Sequence, residues 1–148
     1  MVYTRKIILY CTLISSLLVA GMNLSYSAKK KDAPLLIPGT IKVSAEGVLD
    51  LVEKIPDLLI IDARIRADRK QGYIEGSISL PDIVTNCASL GKVISKKNAP
   101  VLFYCNGVKC GRSVKSSRIA LKCGYNNIYW FRGGYTEWRA KNYPFIKE

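Results

Sequence analysis

The chain has 148 residues, of which 49% are hydrophobic and 23% charged, and a formal net charge of +12. That is the size of one domain, long enough to bury a core and too apolar to stay disordered. It contains no histidine, which excludes Ser–His and Cys–His nucleophile pairs and most zinc chemistry, so any cysteine nucleophile must be activated by dipoles and cations.

Arg5 and Lys6 precede a run without charge from Ile7 to Ala28, apolar to about Met22. Ser25-Tyr26-Ser27 then offers the small residues that a signal peptidase reads, with cleavage after Ser27. A basic head, an apolar centre and a small-residue exit read as a secretory signal peptide over residues 1–27. The expectation is an exported, periplasmic bacterial protein; the alternative, if the segment is uncleaved, is an inner-membrane anchor facing the periplasm. Cys11 lies inside this run as apolar filler. The remaining positive charge is dispersed, apart from Lys29-Lys30-Lys31. In an exported protein it reads as solubility and attraction for small anions rather than as nucleic-acid binding.

Residues 28–39, with Pro34 and Pro38, read as a linker or a strapped-down N-terminal arm, and residues 40–148 as the folded domain. Ile41-Lys42-Val43 is a short strand, and Ser44 caps a helix to about Lys54 with Val48, Leu49 and Val52 as its apolar stripe. Leu58 to Ile61 has the continuous apolarity of a buried parallel strand and ends in Asp62. Arg64 to Gly72 is a short helix or loop, Ile78 to Leu80 a strand stopped by Pro81, and Val84 to Lys96 a helix weakened by Gly91. Val101 to Tyr104 is the next buried strand. Ser113 is expected to cap a helix that Gly124 ends, followed by a strand from Asn127 to Phe131 and a last helix from Tyr135 to Lys141. Strands alternate with helices, so the fold class is α/β, with a central, mostly parallel sheet and helices on both faces.

The segment Cys105-Asn106-Gly107-Val108-Lys109-Cys110-Gly111-Arg112-Ser113 joins the most apolar strand to a helix start. Ligands of such sheets bind beyond the carboxyl ends of the strands. A short Gly-containing loop can turn its N–H groups toward the Cys105 sulfur, the helix N-terminus adds positive potential, and both favour the reactive thiolate. Lys109 and Arg112 read as two mobile cations that draw in an anionic substrate. Cys87, Cys105, Cys110 and Cys123 remain after export, and three pairings are open if all four join disulfides. A Cys105–Cys110 bridge is among the possibilities.

Ile61-Asp62-Ala63-Arg64, Gly72-Tyr73-Ile74-Glu75-Gly76-Ser77, Phe103-Tyr104-Cys105, Arg112-Ser113, Gly133-Gly134 and Trp138, in that order, resemble a single-domain rhodanese over residues 40 to 146. The resemblance implies a sulfurtransferase with a rhodanese-like sandwich. Cys105 matches the family cysteine that carries the transferred sulfur. The partners it implies are a small anionic donor such as thiosulfate and a thiol or protein-cysteine acceptor, with neither metal nor cofactor. Asp62 and Arg64 match a pair near the start of the fold and read as a strand-end tie; Trp130 and Trp138 read as core. Tyr73 stands where the family often has histidine. Arg112 lies two residues further from Cys105 than the usual family spacing, and the extra length brings Cys110, a possible resolving thiol. The alternatives are a non-catalytic sensor or binding module and a thiol–disulfide oxidoreductase using Cys105 and Cys110. A phosphatase ranks last, because its loop would place arginine where Gly111 stands.

Overall fold

The computed structural model describes residues 32–147, so the expected signal peptide over residues 1–27 lies outside the described residues. Five strands form one sheet in the order β1 (Thr40–Val43), β5 (Ile128–Phe131), β4 (Val101–Tyr104), β2 (Leu59–Asp62) and β3 (Ile78–Ser79). Every pairing is parallel, as the alternation of strands and helices requires, because parallel neighbours need crossover connections. The helices are α1 (Ala45–Lys54), α2 (Arg66–Arg69), α3 (Cys87–Val93), α4 (Arg112–Lys122) and α5 (Gly134–Ala140).

Period-two alternation along the strands builds a core on each face of the sheet. Ile61, Val101, Phe103 and Ile128 pack with Leu90 of α3 and Ala120 of α4. Ile60, Leu102, Tyr104 and Phe131 pack with Ala45 and Val48 of α1 and Trp138 of α5. All four residues of β4 are buried, which is why its sequence is an unbroken apolar run. The loops that leave the carboxyl ends of β2, β4 and β5 therefore share one edge of the sheet. Ala63 N donates to Tyr104 O at 2.9 Å, and Tyr135 N donates to Cys105 O at 2.9 Å.

Several boundaries follow local chemistry. Ser44 caps α1 by accepting from Gly47 N, and Gly124 leaves α4 with φ of 87°. Two expectations are corrected. The helix expected over 84–96 is confined to Cys87–Val93, because Asn86 and Ser89 form a reciprocal capping box at its start and Thr85 is held in the preceding turn by Pro81 O. The helix after the cysteine loop begins at Arg112 with Gly111 at its N-cap, so Ser113 is not the cap. Its hydroxyl is turned elsewhere. Residues 32–39, the described part of the expected linker or arm, lie against the domain: Ala33 and Ile37 are buried beside Val114 and Trp130.

Cys87 at the start of α3 and Cys123 at the end of α4 form a disulfide across 36 residues of sequence. A loop of that length removes enough chain entropy from the unfolded state to stabilise the fold by about 3–4 kcal/mol. Urea denaturation should therefore show the Cys87→Ser/Cys123→Ser double variant destabilised by about that amount relative to the oxidised wild type.

Candidate functional site

Of the four cysteines left open to pairing, the fold joins Cys87 to Cys123, and Cys105 and Cys110 are free and buried. Cys105 follows β4 directly, at the carboxyl end of the strand flanked by β2 and β5. The loop curls back after it: Cys110 N donates to Gly107 O at 2.8 Å, and this turn returns the second cysteine to the first. The Cys105 thiol lies 3.3 Å from Cys110 O and 3.1 Å from Ser113 Oγ. Trp130 Nε1 donates to that same Ser113 oxygen at 3.1 Å. The indole occupies an acceptor lone pair of the serine and leaves its proton free to point at the sulfur, which favours a thiolate there.

The two thiols also interact side chain to side chain, so they hold one readily lost proton between them. That contact lowers Cys110 to about 5, against a smaller opposing effect of burial and helped by the backbone N–H groups of Arg112 and Asn106. The same contact, together with burial, pushes Cys105 up, while Ser113 opposes the rise. The loop N–H groups thus serve both sulfurs rather than converging on Cys105 alone. Since a lowered thiol is ionised above its pKa and protonated below it, iodoacetamide should still modify Cys110 at about pH 6, where an ordinary cysteine is almost unreactive. The rate should fall as pH drops through about 5, read by peptide mapping.

Arg112 is not the mobile cation expected from the sequence. It is clamped at 2.6 Å to Asp68 Oδ2, with Asp82 Oδ1 at 3.8 Å. Asp68 also accepts from Asn106 Nδ2 at 2.8 Å, so one carboxylate fixes both ends of the loop. Lys109 and Val108 are exposed at the loop tip, whereas Gly107 is buried against Gly133 and Thr136. A cleft of about 480 Å³ runs along this flank between Asn106–Cys110 and α5, and Cys110 lines it. Cys105 is only 1% exposed.

Three supports were not legible as parts of the site. Gly134 has φ of 56°, and a Cβ there would overlap the carbonyl oxygen of Cys105, so the Gly-Gly turn presses directly on the cysteine backbone. Arg132 holds the arm by donating to Ala33 O at 2.9 Å and Pro34 O at 2.8 Å, and Ala33 N donates to Val108 O at 2.7 Å. The arm is thereby a strap over the cysteine loop. Trp130 is core, as expected, but also a donor to the site; the need of a buried indole N–H for an acceptor was the available signal. Asp62 and Arg64 are fully enclosed and form no part of the cleft.

The family profile described as the rhodanese-like domain matches residues 44–141. A rhodanese domain-containing protein of Drosophila melanogaster is 29% identical over 97 residues, covering 58% of this chain and 86% of its own. Thiosulfate sulfurtransferase from Pseudomonas aeruginosa superimposes with a TM-score of 0.62 at 21% identity, over 73% of this chain and 20% of that one. The polysulfide-sulfur transferase homodimer from Wolinella succinogenes gives 0.62 at 19% identity, over 74% and 80% of the two chains. At these identities the two structures show a shared fold.

Proposed function

The chain belongs to the rhodanese-like domain family, and from that premise we propose that it transfers sulfane sulfur from an anionic donor such as thiosulfate to a thiol or protein-cysteine acceptor through a persulfide on Cys105. The observation that carries this reading is the Cys105 sulfur at the end of the central strand, 3.1 Å from a serine hydroxyl whose oxygen is already engaged by Trp130. The thiol pair loses one proton readily. With the remaining proton on Cys110, the Cys105 thiolate attacks the outer sulfur of thiosulfate; the donor's S–S bond breaks, sulfite leaves with the bonding pair, and a Cys105 persulfide forms. A thiophilic acceptor then takes the outer sulfur and returns the thiolate. Preorganised donors in the loop stabilise the charge on the outer sulfur. Because Cys105 is enclosed, the loop tip between the fixed Asn106 and Arg112 must shift to admit the donor, and Cys110 marks the side where the cleft meets the pair.

Two free cysteines in one loop, with the Cys105 sulfur 3.3 Å from the Cys110 carbonyl, favour thiol–disulfide exchange as the second reading. An exported location belongs to the proposal and is supported by the Cys87–Cys123 bridge, a bond that persists in oxidising compartments. The test is to incubate the Cys110→Ser variant, whose loop can close no disulfide, with thiosulfate and map its peptides. The expected result is one added sulfur atom on Cys105, discharged by cyanide as thiocyanate. Absence of sulfur on Cys105 with thiosulfate or polysulfide, combined with insulin reduction that needs both cysteines, would replace transfer by exchange.

A further inference from the structure

We propose that Cys110 discharges the Cys105 persulfide as hydrosulfide, closing a Cys105–Cys110 disulfide that an external dithiol reductant reopens. This rests on the sulfur-transfer reading and adds to it a second product and a need for electrons. The geometry supplies the reason. The turn from Gly107 to Cys110 brings Cys110 back onto Cys105, whose sulfur lies 3.3 Å from the Cys110 carbonyl. The Cys105 atom that lies against Cys110 is thus Sγ itself, and it becomes the inner sulfur once a second sulfur is added. Attack there expels hydrosulfide, whereas attack on the outer sulfur would merely move the persulfide along the loop. The other described cysteines are already joined to each other, so no third described thiol competes.

The step balances. Cys110 thiolate forms a bond to the inner sulfur, the persulfide S–S bond breaks, and hydrosulfide leaves with that electron pair. The outer sulfur is reduced by two electrons, and the two cysteines are oxidised to a disulfide. A dithiol reductant of the compartment restores both thiols by exchange. The backbone N–H groups of Arg112 and Asn106 and the charge of Arg112 favour the Cys110 thiolate and are still in place when Cys105 carries the persulfide. A site with one thiol ends at the persulfide; this one can release its sulfur without an acceptor.

The full-length protein tests this in a single turnover. Wild type and Cys110→Ser are loaded anaerobically with thiosulfate, freed of donor and sulfite by gel filtration, and left without reductant. Hydrosulfide is assayed, and peptides are mapped under non-reducing conditions. Wild type is expected to release one hydrosulfide per loaded Cys105 and to yield a Cys105–Cys110 linked peptide. The variant is expected to keep its persulfide at least about tenfold longer. A wild-type persulfide that lasts as long as the variant's, sulfur lost without a linked peptide, or sulfur recovered on Cys110 overturns the inference and leaves Cys105 loading intact. If neither protein takes up sulfur at Cys105, the transfer reading itself fails. Should Cys110→Ser fold poorly, the linked-peptide and hydrosulfide yields of wild type decide the matter alone.

Discussion

Cys105→Ser is expected to lower thiocyanate formation from thiosulfate and cyanide by at least about a thousandfold, because the covalent route is removed with the thiolate. A serine hydroxyl is not ionised at neutral pH and does not take sulfur from a sulfane donor. The substitution is nearly isosteric, and an oxygen there retains Cys110 O as acceptor and Ser113 Oγ as neighbour. Stability should therefore change by less than about 1 kcal/mol, which separates lost chemistry from lost fold. Initial rates and urea midpoints on the same preparation give both numbers. A variant that keeps more than a tenth of wild-type activity would move the sulfur carrier away from Cys105, and Cys110 would be the first residue to map.

The central strands β2, β4 and β5 were legible in the sequence because they are covered on both faces. Val101-Leu102-Phe103-Tyr104 has no solvent-facing position, so an apolar run was the only pattern open to it. The Ser44 cap and the Gly124 exit were legible for a similar reason: each satisfies its demand within a few residues. What escaped depends on partners far away in sequence. Nothing local to Cys87 or Cys123 selects their pairing; it arises because α3 and α4 share one face of the sheet. Ser113 carries the signature of a cap, yet its hydroxyl answers to Cys105 and to Trp130 on another strand. Arg112 looked mobile because Asp68 and Asp82, which hold it, lie more than one element upstream. The loop cysteine was readable from its setting, while the tuning of that cysteine was written in tertiary contacts.

The largest stability loss is expected from Asp62→Ala, at about 3–5 kcal/mol, out of the roughly 5–15 kcal/mol that holds a domain of this kind together. Asp62 is wholly buried at the carboxyl end of β2. Its Oδ1 accepts from Arg64 N at 3.0 Å and Nε at 2.9 Å; its Oδ2 accepts from an Arg64 NH2 group at 2.6 Å, Arg69 at 3.2 Å and Tyr104 Oη at 2.9 Å. Burial opposes the Arg64 charge, and the hydrogen bonds and charge of Asp62 outweigh it, so the guanidinium stays protonated. Removing the carboxylate takes the shared anion from the enclosed Arg64 and Arg69 guanidinium groups, and breaking a buried pair from one side costs more than the pair contributes. Contacts of Arg64 with the Tyr135 ring at 4.3 Å and with Gly72 O at 2.8 Å restore little of this. The loss should extend to the site, because Tyr104 is tied by Asp62 and directly precedes Cys105. Chemical denaturation gives the free energy, and the persulfide-loading rate measured well below the denaturation midpoint reads the position of the cysteine. An Asp62→Ala protein within about 1 kcal/mol of wild type would show that Arg64 and Arg69 find other anions or water, and that the carboxylate is not what fastens the strand ends together.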